Sequence, residues 1–100
     1  MKVAFDAEAA QELGAAAEWY EAAQAGLGTD FLDEALRAVA AISESPTAWP
    51  VVIRKRNVRK FLLARFPYAV YYVPREGEIL VLAVAHGSRR PGYWRDRVGG

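Results

Sequence analysis

The chain contains no cysteine. That excludes disulfides and every thiolate-ligated metal centre. It has one histidine, His86, so a histidine-built metal site is excluded too. No apolar run approaches the roughly 18 residues that a membrane-spanning helix needs. The opening MKVAFDAEAA lacks a basic segment followed by an apolar stretch, so no secretory leader is expected. A glycine-rich phosphate loop, a cysteine nucleophile and a metal-spaced acidic cluster are all missing. These absences predict one cytoplasmic domain over residues 1–100, without metal or other cofactor and without membrane contact. Its tail over 95–100 is expected to add a short helical turn and then fray.

What is present is 53% apolar and 25% charged, enough for a packed core. The net charge of +1 conceals a sharp division. Residues 1–50 hold nine acids and two bases, a balance of −7, whereas residues 51–100 hold eleven bases and three acids, a balance of +8. Such a dipole turns one surface toward polyanions and another away from them.

The hydrophobic pattern changes period at the same place. KVAF alternates as a short strand. Asp6 is placed to cap the helix that follows, which runs to about Gln24 with Ala9, Leu13, Ala16, Ala17 and Tyr20 on one stripe. AGLGTD breaks it, and Thr29 is expected to cap a second helix over about 30–43. Phe31, Ala35, Val39 and Ile42 form its core stripe, widened by Leu32 and Leu36. A link this short makes the two helices an antiparallel hairpin. SPTAWP is a proline-fixed loop. Four strands follow, VVIRKR, VRKFLLARF, YAVYYV and EILVLAVAH. ILVLAVA is apolar on both faces and so belongs inside the sheet. The order β-α-α-β-β-β-β predicts an α+β two-layer domain, a helical hairpin on a mostly antiparallel twisted sheet.

Register then brings distant residues together. A turn at PREG pairs Val73 with Ile79 and Pro67 with Ala85, to within a residue or two. His86 therefore falls beside the Arg65–Tyr68 junction. Arg65, Tyr68, His86, Arg89 and Tyr93 are expected to cluster at one end of the sheet. RKRNVRK, with five bases in seven residues, falls at the other end. Two chemistries suit such a surface. A histidine or tyrosine flanked by arginines can cleave RNA without metal, with Arg65 and Arg89 as phosphate clamps and His86 or Tyr93 as acid or base. Alternatively, Arg54, Lys55, Arg56, Arg59, Lys60, Arg65, Arg89, Arg90 and Arg95 bind a nucleic acid or an acidic protein surface without cutting it. Trp19, Tyr20 and the alanines of the first helix make a smooth apolar surface suited to a partner helix.

Taken in order, AEWYE (17–21), GLGTDFLDEA (26–35), SPTAWP, RKFLLARFPYAVYYV (59–73) and ILVLAVAHGSRRPGYW (79–94) resemble the RelE/ParE superfamily of bacterial toxins, from type II toxin–antitoxin (plasmid stabilisation) systems. The resemblance covers nearly the whole chain. It implies a growth-inhibiting toxin wrapped by the helix and strand of a cognate antitoxin, in a hetero-oligomer, with Trp19, Tyr20, Tyr68 and Tyr72 as antitoxin contacts. RelE-type members cut mRNA on the ribosome, while ParE-type members inhibit DNA gyrase. The basic residue that commonly follows the strand-opening tyrosine of the nucleases is replaced here by Ala69, and one of their paired lysines by Leu62. Those departures incline the resemblance toward the ParE-like branch. A third reading is a degenerate relative that keeps only antitoxin binding.

Overall fold

A computed structural model describes residues 1–98 of the chain. Its elements are β1 (Lys2–Phe5), α1 (Ala7–Ala23), α2 (Leu27–Glu44), β2 (Val51–Ile53), β3 (Val58–Leu62), β4 (Tyr68–Arg75), β5 (Glu78–His86) and a 3-10 turn at Arg95–Val98. The five strands form one sheet of order β1-β5-β4-β3-β2. All neighbours are antiparallel except β1, which runs parallel to β5. The helical hairpin covers one face, so the α+β two-layer expectation holds.

Asp6 caps α1 as expected, its carboxylate accepting the Glu8 N–H at 2.9 Å. The second helix starts earlier than Thr29 allows. Gly26 takes the left-handed conformation (φ 89°) at its N-cap, and Glu21 reaches over from α1 to accept the N–H groups of Gly26 (2.9 Å) and Gly28 (3.0 Å). Those bonds satisfy donors that the helix itself leaves open, and hold the Glu21 carboxyl below the usual carboxylate range. Gly28 also lets the helices approach closely, because a Cβ there would strike the Ala17 carbonyl oxygen. Phe31, Ala35, Ala38 and Ile42 are buried as a core stripe, with Val39 half-buried. Leu32 and Leu36 do not widen it; both are exposed, Leu36 at 61%. Glu34 holds the buried position that lies between them.

Strands β2 and β3 are shorter than their apolar pattern. VVIRKR turns after Ile53, with Asn57 at φ 54° in the turn. VRKFLLARF leaves the sheet after Leu62, where the Leu63 N–H goes to the Tyr68 carbonyl and the Arg65 N–H to Glu34. The β4–β5 register puts Tyr68 opposite His86 and Ala69 opposite Ala85, one to two residues from the expected pairing.

One irregularity organises the second half. Val81 and Ala83 pair with Tyr72 and Tyr71, leaving Leu82 as an extra residue in β5, a β-bulge. The bulge shifts the alternation. Ile79, Val81 and Val84 pack under the helices, while Leu82 and Ala83 both turn to the opposite face. On that face they meet Val58, Val73 and Trp94. Trp94 is 4% exposed and stacks on Tyr71 with ring centres 4.4 Å apart. The segment after β5 thus folds back over the sheet and ends in the 3-10 turn, in which Arg97 and Val98 are half-buried and Arg95 and Asp96 exposed. Residues 99 and 100 of the tail lie outside the described residues.

Candidate functional site

The β4–β5 hairpin ends in a ridge. Tyr68 and His86 are paired across the strands, with rings edge to face at 5.1 Å. A turn follows in which His86 Nδ1 accepts the Ser88 N–H at 2.9 Å. That bond leaves the proton of the neutral ring on Nε2. Arg89, on the same turn, lays its guanidinium over the Tyr93 ring, 3.9 Å from the centroid. Pro67, Tyr68, His86 and Arg89 line both of two grooves, one on each side of this ridge.

The helix-side groove, about 620 Å³, runs between α1 and the ridge and is walled by Ala15, Ala16, Trp19, Tyr20, Tyr68 and Val84. Its walls are mostly apolar, yet Trp19 is 67% exposed. Tyr20 packs on Phe31, Phe66 and Tyr68, which fixes its ring as a floor. Burial raises the phenols of Tyr20 and Tyr68 above their ordinary value, so both are neutral hydrogen-bonding groups at physiological pH.

The strand-side cleft, about 380 Å³, lies between β3 and the 87–94 segment. Lys60 stands on one wall, its ammonium 5.9 Å from the Tyr71 ring centre, and Arg89 and Arg90 on the other. Among the described residues no carboxylate lines it.

The structure divides the expected cluster. Tyr68, His86, Arg89 and Tyr93 come together, but Arg65 does not join them. Its Nε donates to Glu34 Oε1 at 2.9 Å and its backbone N–H to Oε2 at 2.9 Å, on the α2 side of the sheet. Burial pushes the Glu34 carboxyl up, but the Arg65 bonds and the Ala64 N–H outweigh it, and the net shift is downward. Tyr93 reaches the cluster by its ring only. Its hydroxyl donates to Glu12 Oε2 at 2.6 Å, and burial together with that carboxylate raises the phenol far above its ordinary value. Tyr72 is fully buried, its hydroxyl donating to the Pro46 carbonyl at 2.8 Å, so it faces the core and not a partner. Arg59 also turns inward, donating to the carbonyls of Thr47 and Trp49, both at 2.8 Å. Arg54, Lys55 and Arg56 are exposed on the β2–β3 turn, at the opposite end from His86, and Arg95 is exposed beyond Trp94. Among the described residues no group of three potential ligands could hold a metal ion, and no helix is long and apolar enough to cross a membrane.

Glu12 is the residue that sequence reasoning missed. Strand β1 ends at Phe5, so beyond Val81 the edge of β5 has lost its partner strand. Glu12 accepts the free Val84 N–H at 3.0 Å, while Arg97 donates to the Leu82 carbonyl at 3.1 Å. Arg97 also pairs with Glu12 and Glu8. The bulge and the lost strand would leave polar backbone open, and an ion pair from opposite ends of the chain closes it.

The fold is a small α+β domain with two grooves about one ridge. The family described as "ParE toxin of type II toxin-antitoxin system, parDE" matches residues 3–91, and the chain belongs to that family. A solved structure described as "Chromosomal ParDE TA system from P. aeruginosa" contains a chain of similar fold, with a TM-score of 0.68 and 18% sequence identity over 86% of this chain and 95% of that one. Comparison with curated sequences gives no match.

Proposed function

We propose that this type II toxin inhibits DNA gyrase in the cytoplasm by protein contact through its basic second half, and that a cognate antitoxin neutralises it by laying an amphipathic helix into the helix-side groove. The observation that carries the reading is the groove itself. It joins an exposed tryptophan to a rigid aromatic floor, the anchor-and-pocket arrangement on which helix-in-groove binding depends. Its rim carries Arg89 and His86, while the carboxylate of Glu12 is already taken up by internal donors. The groove therefore favours a helix with acidic flanks.

The mRNA-cleaving alternative needs Arg65, His86, Arg89 and Tyr93 to act on one phosphate. In this arrangement Arg65 is turned away and the Tyr93 hydroxyl is engaged, which leaves two of the four for the chemistry. The geometry favours gripping over cutting.

Inducing the chain in bacteria tests the target. Blocked gyrase supercoiling with intact mRNA is the expected result, whereas codon-phased mRNA cuts with normal supercoiling would overturn it. For the groove, Trp19→Ala is expected to weaken antitoxin binding at least about tenfold, the cost of losing a buried aromatic anchor, with toxicity retained.

A further inference from the structure

Arg37 is the only basic residue on either helix. It follows the buried Glu34 by three positions, so the two stand on the same side of α2. It is exposed, and among the described residues it has no hydrogen-bond or ion-pair partner. Glu34 is engaged elsewhere, one oxygen accepting the Arg65 Nε and the other the Arg65 N–H. That pair uses the guanidinium of Arg65 only through Nε, and its side chain stays 56% exposed. Two arginines therefore flank a single carboxylate whose oxygens are both occupied, an arrangement that favours the entry of a further anion.

These three charged groups line a depression of about 370 Å³ between α2 and the end of β3, together with Ala38, Phe61 and Leu62. It adjoins the strand-side cleft at Leu62 but includes none of the cations of that cleft. The sheet edge is open here. Val51 pairs with Arg59 and the Pro50 carbonyl takes the Lys60 N–H, and β2 reaches no further along β3. The Leu63 N–H points to Tyr68 on β4, so by alternation the N–H and C=O of Leu62 point the other way, to the uncovered edge. The Leu62 side chain is 66% exposed beside it. A bare edge of this kind is a template for a strand from another chain.

An edge offers main-chain hydrogen bonds, an apolar hollow seats one side chain, and two arginines seat a carboxylate. The three demands meet in one ligand, the end of an extended polypeptide. We propose that this site binds the free C-terminus of a partner protein as an added strand, with its main chain on Leu62, its apolar last side chain against Ala38 and Phe61, and its carboxylate between Arg37 and Arg65. An acidic side chain within a chain supplies the charge alone, and a fatty acid lacks the main-chain groups. The proposal does not rest on the helix-in-groove reading, because no residue of this site lines that groove.

The experiment uses the purified full chain and a fluorescein-labelled peptide, Gly-Ser-Gly-Thr-Val-Leu, read by anisotropy. The peptide with a free carboxylate is expected to bind, and amidating its C-terminus to weaken binding at least about tenfold, the effect of losing charge-assisted hydrogen bonds. Arg37→Gln is expected to weaken the free-acid peptide at least about fivefold and to leave the amide unchanged, whereas Arg90→Gln, on the cleft, should keep affinity within about twofold. In the complex, amide exchange at Leu62, followed by NMR, is expected to slow at least about tenfold. Circular dichroism melts of Arg37→Gln keep lost folding distinct from lost binding. Five results would overturn the proposal. They are no saturable binding at millimolar peptide, equal binding of acid and amide, equal loss in Arg37→Gln and Arg90→Gln, unchanged exchange at Leu62, and displacement by N-acetylleucine at a concentration no higher than that of unlabelled peptide, which would assign the site to a free acid.

Discussion

Arg97 grips Glu12 across 85 residues of chain, with Nη1 on Oε1 at 2.9 Å and Nη2 on Oε2 at 3.1 Å. Around that pair are the Tyr93 hydroxyl, the Val84 N–H and the Leu82 carbonyl. Glu12→Ala strands two donors at once, the Val84 N–H and the Tyr93 hydroxyl, and leaves Arg97 with only Glu8 and the Leu82 carbonyl. Leaving such groups unpaired costs about 3 kcal/mol, which in a domain of this size lowers Tm by more than about 10 °C. Arg97→Ala is expected to cost less, because Glu12 keeps Val84 and Tyr93. Thermal melts of the two variants check that order.

Alkaline stability follows from Tyr93. Its folded phenol lies above the unfolded value of about 10, because burial and Glu12 disfavour the phenolate. A raised folded value contributes stability that is complete below about pH 10 and is lost as pH climbs past it. Denaturant midpoints should therefore fall above pH 10, and Tyr93→Phe should flatten that fall. A Tyr93→Phe profile as steep as that of the parent would remove Tyr93 as the cause.

The acid limb follows from Glu34. Its folded carboxyl lies below its unfolded value, through the bonds from Arg65 and Ala64 that offset its burial. The stability it contributes is present above about pH 4.3 and is lost as pH falls through the folded value. Glu34→Gln is expected to be less stable at pH 7 and less sensitive to acid. Arg65→Ala removes only a half-exposed partner and should cost no more than about 1 kcal/mol.

Two glycines should respond oppositely to alanine. Gly14 has open space where a Cβ would go and lies inside α1, so Gly14→Ala should stabilise by about 0.5–1 kcal/mol. Gly28→Ala drives a methyl into the Ala17 backbone and should cost about 2 kcal/mol or more as the helices part. Urea unfolding of both variants measures the difference.

His86→Ala should fold with Tm within about 3 °C of the parent, since the ring is half-exposed and its Nδ1 bonds are local. Growth inhibition by this variant then separates the two uses of the residue. Full toxicity makes His86 a structural post for the turn, and lost toxicity makes it a contact.

The element order, the helical hairpin and the Tyr68–His86 juxtaposition were all legible in the sequence, because periodicity and turn spacing are local signals. What escaped came from partners remote in sequence. Thr29 looked like the cap of α2, but a carboxylate on the preceding helix does that work. Leu32 and Leu36 matched a helical stripe, yet Glu34 took the buried place because Arg65 waited opposite it. The strand pattern did put Tyr72 in phase with Val70, a sign that it faces the helices and not a partner. The bulge at Leu82 has no composition of its own. Its signal was the continuous run ILVLAVA, in which a skipped residue leaves no break in hydrophobicity.

The sheet joins its first strand to its last, since β1 lies against β5, and Arg97 then fastens the far turn to α1. During synthesis the amino-terminal strand has nothing to pair with until β5 emerges, and the clasp stays open until residue 97 is made. Such long-range closure makes folding a late event. A nascent chain stopped before that point lacks both the finished sheet edge and the covered strand face. The growing domain is thus incomplete until residue 97 has been made.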